Sequence, residues 1–207
     1  MAPRKEQQIF QATLELLAAK GYEGLTVEGV AERSEVNKTT IYRWWPSKAA
    51  LLAAALVQAD LLVVEPPDTG SLRGDLEALV RGVAALLTRP PAAGVAVAAL
   101  GAAVHHPELA TAAQHFFADR FAREEAVFDR ARRRGELSGT ADPLLIMDLL
   151  AGAVWLRTVF RGLPLDDDFA ARAVGTVLDG AASRALPGPD QGVRSGAGAP
   201  EPGGRPA

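Results

Sequence analysis

Residues 26–48 read Thr-Val-Glu-Gly-Val-Ala-Glu-Arg-Ser-Glu-Val-Asn-Lys-Thr-Thr-Ile-Tyr-Arg-Trp-Trp-Pro-Ser-Lys. Thr26 is a good N-cap, Glu28 and Gly29 fill a first turn, and Val27, Val30 and Ala31 share one face. The pattern predicts a short helix that stops near Ser34. Asn37 then caps a helix of about two turns ending at Trp45, because Pro46 disfavours helical backbone in the residue before it. Ser47 caps the next helix.

Two short helices across a tight polar break form a helix-turn-helix, in which the first braces the second and the second enters the major groove of DNA. A groove-facing helix needs short polar side chains for base edges and flanking donors for phosphates. Asn37, Lys38, Thr39, Thr40, Tyr42 and Arg43 supply them. Val36 and Ile41 can turn inward toward Val27, Val30 and Ala31, and Trp45 packs there most simply. Lys48 falls in the first turn of the following helix, where its charge and the backbone N–H groups can clasp a phosphate. Each residue has a plainer reading alone, as a solvated hydroxyl or a core ring. The cap at Thr26, the stop at Pro46 and the start at Ser47–Lys48 agree only on the motif.

The bulk properties bound the rest. The chain has 207 residues, 48% hydrophobic and 23% charged, as expected of an ordinary globular protein. Net charge is −3, and residues 1–50 carry seven Lys or Arg against six Asp or Glu, so any DNA affinity must come from where charges point. All four lysines precede residue 50, although Ala, Gly, Pro and Arg enrichment also fits a GC-rich genome. With no cysteine, thiolate metal sites and disulfides are excluded and the expected location is cytoplasmic. No secretory signal opens the chain and no apolar run of about 20 residues appears, so no membrane partner is expected.

Outward from the motif, helical periodicity predicts a first helix over 4–20 closed by Gly21, and a helix from Ser47 to about Val64. Glu65-Pro66-Pro67-Asp68-Thr69-Gly70 marks a boundary. Further helices are expected over 71–88, 92–105, 107–134, 143–161 and 169–186. Arg130, Arg132, Arg133 and Arg134 read as complement to the helix dipole on a solvated face. Asp166, Asp167 and Asp168 read as a capping cluster. From Pro187 onward, 11 of 21 residues are Pro or Gly, which predicts a disordered tail. The fold class is all-α: an N-terminal helix-turn-helix three-helix domain followed by a helical ligand-binding and dimerisation bundle, about nine helices in total. The expected divisions are 1–48, a connecting helix and linker at 49–69, 70–186, and the tail at 187–207.

The run Thr-Thr-Ile-Tyr-Arg-Trp-Trp-Pro-Ser-Lys at 39–48, with Thr26-Val27 before it, resembles the DNA-binding domain of the TetR family of bacterial transcriptional regulators. The resemblance covers about residues 5–60. It implies a recognition helix over 37–44, with Lys38, Thr39, Thr40, Tyr42 and Trp44 at DNA, Arg43 close by, and Thr26 and Lys48 on phosphates. Two departures stand out. Ser34-Glu35 replaces a frequent Ala-Gly, so Glu35 is either strained or in an altered turn. Trp44 stands where a smaller or basic residue is frequent.

The resemblance further implies that 70–186 bind a ligand and dimerise. Residues 144–160 are apolar nearly all round, so that helix needs cover on more than one side. The expected interface is a four-helix, twofold one carrying Leu149, Gly152, Ala153, Leu156, Val174, Val177, Leu178 and Ala181. Two recognition helices would then stand roughly 34–36 Å apart, one turn of B-DNA. Pocket candidates between the helices of 71–160 are His105, His106, His115, Phe116, Met147, Trp155 and Arg157, although Phe116, Met147 and Trp155 read first as core filling. Three histidines without matching carboxylate spacing make a poor metal site. Neither metal nor cofactor is expected, and no nucleophile triad, phosphate loop or zincin motif suggests an enzyme. The expected function is a homodimeric repressor, released from a palindromic double-stranded DNA operator by a small-molecule effector. The alternative is a helical small-molecule binder that has lost specific DNA binding.

Overall fold

The computed structural model describes residues 5–180, and the described residues hold nine α-helices and no strand. Helix α1 (Glu6–Gly24) is interrupted at Gly21, whose φ of 67° ends the regular helix after Lys20 as the sequence predicts. Ile9 and Leu17 are fully buried along it. Helix α2 (Val27–Ser34) starts where the Thr26 hydroxyl accepts from Gly29 N at 3.1 Å. Helix α3 (Lys38–Trp44) starts at Asn37, and α4 (Lys48–Val57) at Ser47, whose hydroxyl accepts from Ala50 N at 2.9 Å. Each such cap supplies about 1 kcal/mol by satisfying an orphan N–H.

Helix α4 is shorter than the expected run to Val64. It ends at Val57, a 3₁₀ turn follows at Asp60–Leu62, and Val63 is extended. Polar Gln58 and Asp60 interrupt the apolar stretch there. Helix α5 (Leu72–Thr88) is capped by Ser71. Next come α6 (Ala92–Ala103) and α7 (Pro107–Arg134), the latter with Pro at its start and Gly135 at φ 73° after its end. Helix α8 (Pro143–Trp155) continues as a π-helical turn, Leu156–Phe160, and α9 (Phe169–Asp179) ends at Gly180. The remainder of the helix expected over 169–186, and the expected tail at 187–207, lie outside the described residues.

Two expected roles are corrected. Asp168 precedes α9 without a side-chain capping bond, and Asp166 instead pairs with Arg172 at 2.9 Å. Arg130 and Arg134 are not simply a solvated face. Their guanidinium nitrogens approach the fully buried carboxylate of Asp75 at 3.6 and 3.9 Å, and Arg130 also donates to the Pro67 carbonyl. The end of α7 thereby holds the 66–70 connector and the start of α5. A buried carboxylate is tolerated only with such partners, and its other oxygen, Oδ1, accepts hydrogen bonds from the Thr69 N–H and hydroxyl at 2.6 and 2.8 Å.

Helix α1 packs against α6 and α4, α4 against α7, and α5 against α6, α8 and α9. A Cβ at Gly94 of α6 would stand 3.3 Å from both the backbone and the Cβ of Ala18, so α6 and α1 are in close approach there. One continuous core therefore joins the N-terminal helices to the bundle.

Candidate functional site

The turn between α2 and α3 closes with Val36 N donating to Ala31 O at 3.0 Å and Glu35 N to Glu32 O at 3.3 Å. This pattern needs a left-handed residue between them, and Glu35 takes that place with φ 52° and ψ 38°. It is the only non-glycine with positive φ among the described residues. Asn37 Oδ1 accepts from Thr39 N at 2.8 Å and starts α3. Fully buried Ile41 fixes which side of α3 faces inward, and Trp45 meets Phe10 edge-on at 5.2 Å.

With Ile41 inward, Asn37, Lys38, Thr39, Tyr42, Arg43 and Trp44 are exposed and Thr40 is half-buried. Tyr42 and Trp44 keep 44% and 41% of their surface in solvent, a large outlay for aromatic side chains on a small helix. Thr26 is exposed at the start of α2. Lys38 approaches Glu28 at 3.7 Å, an exposed pair worth little in water. Lys48 is half-buried and already engaged: its Nζ donates to Tyr22 O at 2.8 Å and lies 4.1 Å from the centre of the Tyr22 ring.

Behind this surface, sequence reasoning missed a junction. Ser47 donates to Glu108 Oε2 at 2.9 Å, and the His106 ring meets the Tyr22 ring at 4.4 Å, tilted by 50°. The start of α7 thus touches the residues that immediately follow α3. The partners lie 61 residues apart or more, and no local signal could have paired them.

A cavity of about 680 Å³ lies within the bundle, bounded by α4 to α8 and the two short turns. Of the seven pocket candidates, Phe116, Met147 and Trp155 line it. The other four do not. His105 and His115 are exposed, His106 belongs to the junction, and the Arg157 guanidinium sits over the Phe169 ring at 5.4 Å. The residues of α6 serve two ends: Gly94 gives close packing on α1, while Val97 and Gly101, with Val104 just after the helix, border the cavity. Sequence reasoning also missed Arg120 and Glu124, an ion pair at 3.0 Å whose side chains are only 15% and 3% exposed. The signal was present as two charges one turn apart, in register with Phe116 and beside Phe117 and Phe121. Burial pushes the Glu124 carboxyl above the usual carboxylate range, and Arg120 pulls the other way.

Helix α8 and the π-helical turn after it expose a stripe of Leu145, Leu149 and Leu156, each more than half in solvent. Gly152 is exposed with open space before it, and Ala153, Val177 and Leu178 are half-buried. Val174 differs from its expected place: it is wholly enclosed within its own chain, because α9 turns that face onto α5 and α8. Ala181 lies outside the described residues. The segment Pro143–Phe160 has a mean hydropathy of 1.6 over 18 residues, apolar and long enough to cross a membrane. A stripe of this kind calls for cover.

Two family descriptions match the two halves of this architecture. "Bacterial regulatory proteins, tetR family" matches residues 9–55, and "Tetracyclin repressor-like, C-terminal domain" matches 66–177. The chain belongs to the TetR family of bacterial transcriptional regulators. It is 35% identical over 179 residues to the HTH-type transcriptional regulator Rv1556 of Mycobacterium tuberculosis, covering 84% of this chain and 86% of that one. It is also 35% identical over 175 residues to the DNA-binding transcriptional repressor TetR of Mycobacteroides abscessus, covering 82% and 90%. The crystal structure of the TetR family transcription regulator SCO0332 superposes with a TM-score of 0.69 at 36% identity, over 87% of this chain and all of that one. As a TetR-family member the protein is a DNA-binding transcriptional regulator, and α2–α3 are its helix-turn-helix.

Proposed function

We propose that this regulator is a homodimeric repressor, held on a palindromic operator by two copies of α3 and released when a small molecule fills the bundle cavity. It works in the cytoplasm, with 1–48 reading DNA, 49–69 connecting, and 70–186 binding effector and partner subunit. Thr39, Thr40, Tyr42 and Trp44 meet base edges or the groove wall. Lys38 and Arg43 flank them, Asn37 sets the helix start, and Thr26 and Lys48 serve phosphates. The stripe of Leu149 and Gly152 on α8 and Leu156 just beyond it, with half-buried Ala153, Val177 and Leu178, pairs the subunits. Two such subunits present two recognition helices on one side of the duplex.

One observation carries the regulatory part. Leu56 of α4 lines the cavity together with residues of α5 to α8. An occupant therefore presses on the helix whose other end receives α3. A ligand moves the balance between two arrangements only by its different affinity for each, and a shift of α4 at Leu56 would change the shape of the cavity the ligand fills.

Genomic footprinting with the purified full-length chain tests the reading. The expected result is a small set of protected sites with two half-sites about one helical turn apart. Protection of no preferred segment at near-physiological salt would contradict it.

A further inference from the structure

The cavity interior offers a ligand little that is polar. Its lining is apolar except for Arg120, Glu124, Asp148 and the indole N–H of Trp155. Arg120 and Glu124 are spent on each other, with Arg120 Nε donating to Glu124 Oε1 at 3.0 Å. Arg120 Nη1 reaches the Leu62 carbonyl at 3.5 Å, and Nη2 is enclosed in the wall. The one positive charge among the lining residues is therefore committed, and an acidic ligand finds none to pair with.

The border is where the polar end of a ligand belongs. Val97, Val104, Phe117, Leu144 and Phe160 line the cavity and are also exposed, Phe117 and Phe160 by 45% and 76%. Exposed rings and aliphatic side chains around one opening call for cover. Asp148 is exposed and borders the same cavity, one turn after Leu144 on α8. Among the described residues it forms no ion pair. An ionised carboxylate only accepts hydrogen bonds and attracts cations, and the face of an aromatic ring attracts cations too. Both disfavour an anion. Because Asp148 stands in water, its pull is modest and screened by salt.

We infer that the cavity takes an amphipathic cation, with its apolar body inside and an ammonium-type group at the mouth beside Asp148. The inference rests on the reading of this cavity as the effector site and names the effector's chemical class. A volume of about 680 Å³ admits a body of roughly ten carbon atoms or more. Such a body fills the apolar interior, covers the exposed rim and keeps its charge in contact with water, so no charge is buried without a partner.

The test is calorimetry of the full-length protein with decyltrimethylammonium, decanoate and decan-1-ol, each below the concentration at which it forms micelles. The three share an apolar chain and differ in the charge of the head. Wild type should bind the cation roughly tenfold tighter than the anion, and that margin should shrink at high salt. Decan-1-ol reports whether the chain enters the cavity, and its affinity should change little with salt. D148N should weaken the cation about threefold and D148K roughly tenfold or more, with decan-1-ol unchanged in both. Asp148 is exposed, so neither substitution should disturb the fold. Anion binding equal to or tighter than cation binding, or a cation affinity indifferent to both substitutions, overturns the inference and leaves the cavity as effector site standing. Failure of all three probes to bind overturns the inference and also removes support from the effector-site reading. Release of wild type from a footprinted DNA site by the cation tests the regulatory role separately: binding without release keeps the ligand class and contradicts the effector reading.

Discussion

The ammonium of Lys48 donates to the carbonyl oxygen of Tyr22 at 2.8 Å and lies 4.1 Å from the centre of that residue's ring. One side chain thus ties the end of α1 to the first turn of α4, directly behind the recognition helix. Replacing it by methionine removes a hydrogen bond and a cation–π contact while keeping the aliphatic stem. K48M should lower stability by roughly 1 kcal/mol and the melting temperature by about 2–4 °C. The ammonium has further N–H groups for a phosphate, so the slope of log affinity against log salt should also fall by about one. Calorimetric melting and DNA titration at several salt concentrations check both effects. An unchanged slope would confine Lys48 to holding Tyr22.

Glu35 sits at φ 52°, in the left-handed place that closes the turn between α2 and α3. Glycine adopts that backbone without a Cβ penalty, and the Glu35 carbonyl that faces Lys5 is retained by any residue. E35G should therefore stabilise the protein by about 1 kcal/mol, seen as a higher melting temperature. It also removes a negative charge from beside α3, so DNA affinity should rise, most clearly at low salt. A lower melting temperature would mean that the Glu35 side chain makes a compensating contact.

Glu124 gives the pH dependence a definite sign. Desolvation raises its folded-state pKa above the unfolded value, Arg120 opposing. The proton is therefore bound more tightly in the folded chain. Its contribution to stability is fully present below the ordinary carboxylate pKa and is lost as pH rises through the raised one. Glutamine mimics the protonated form at every pH. The melting temperature of E124Q relative to wild type should thus climb as pH rises above the ordinary carboxylate pKa of about 4. A difference that stays flat or falls across that range would contradict the assignment.

Leu149 of α8 and Leu156, which opens the π-helical turn after it, are 52% and 54% exposed. Placing L149R and L156R together puts two charges where the subunits are proposed to meet, without touching the subunit's own core. The variant should sediment as a monomer, keep its helical circular dichroism, and bind the operator at least tenfold more weakly, because one recognition helix then acts alone. A dimer that persists in sedimentation would place the interface elsewhere.

What the sequence made legible follows from the range of the forces involved. Caps at Thr26, Asn37 and Ser47 and the stop at Pro46 are local effects, so the helix-turn-helix and its exposed polar edge could be read residue by residue. The cavity was read less well. Phe116, Met147 and Trp155 signal themselves by bulk on apolar faces, but a histidine's chemistry does not say which way its helix face turns. His106 went to Tyr22 and Arg157 to Phe169 through contacts made only on tertiary packing. Val174 had the spacing of an interface residue and became core, because apolar periodicity cannot distinguish a subunit's own interior from a partner's surface. Arg120 and Glu124 were overlooked because an i, i+4 pair usually marks a solvated face.

The central claim is that the outward edge of α3, carried twice, reads DNA. Its most direct test is a fluorescence-anisotropy titration of wild type and T39A/Y42A on a footprinted genomic site and on a scrambled duplex, at one near-physiological salt concentration. Both substituted residues are exposed, so the variant should melt as wild type does. The account predicts that wild type prefers the footprinted site by a thousandfold or so, and that the variant loses most of that preference. Equal binding of the two duplexes by wild type, or a preference untouched in the variant, would contradict it.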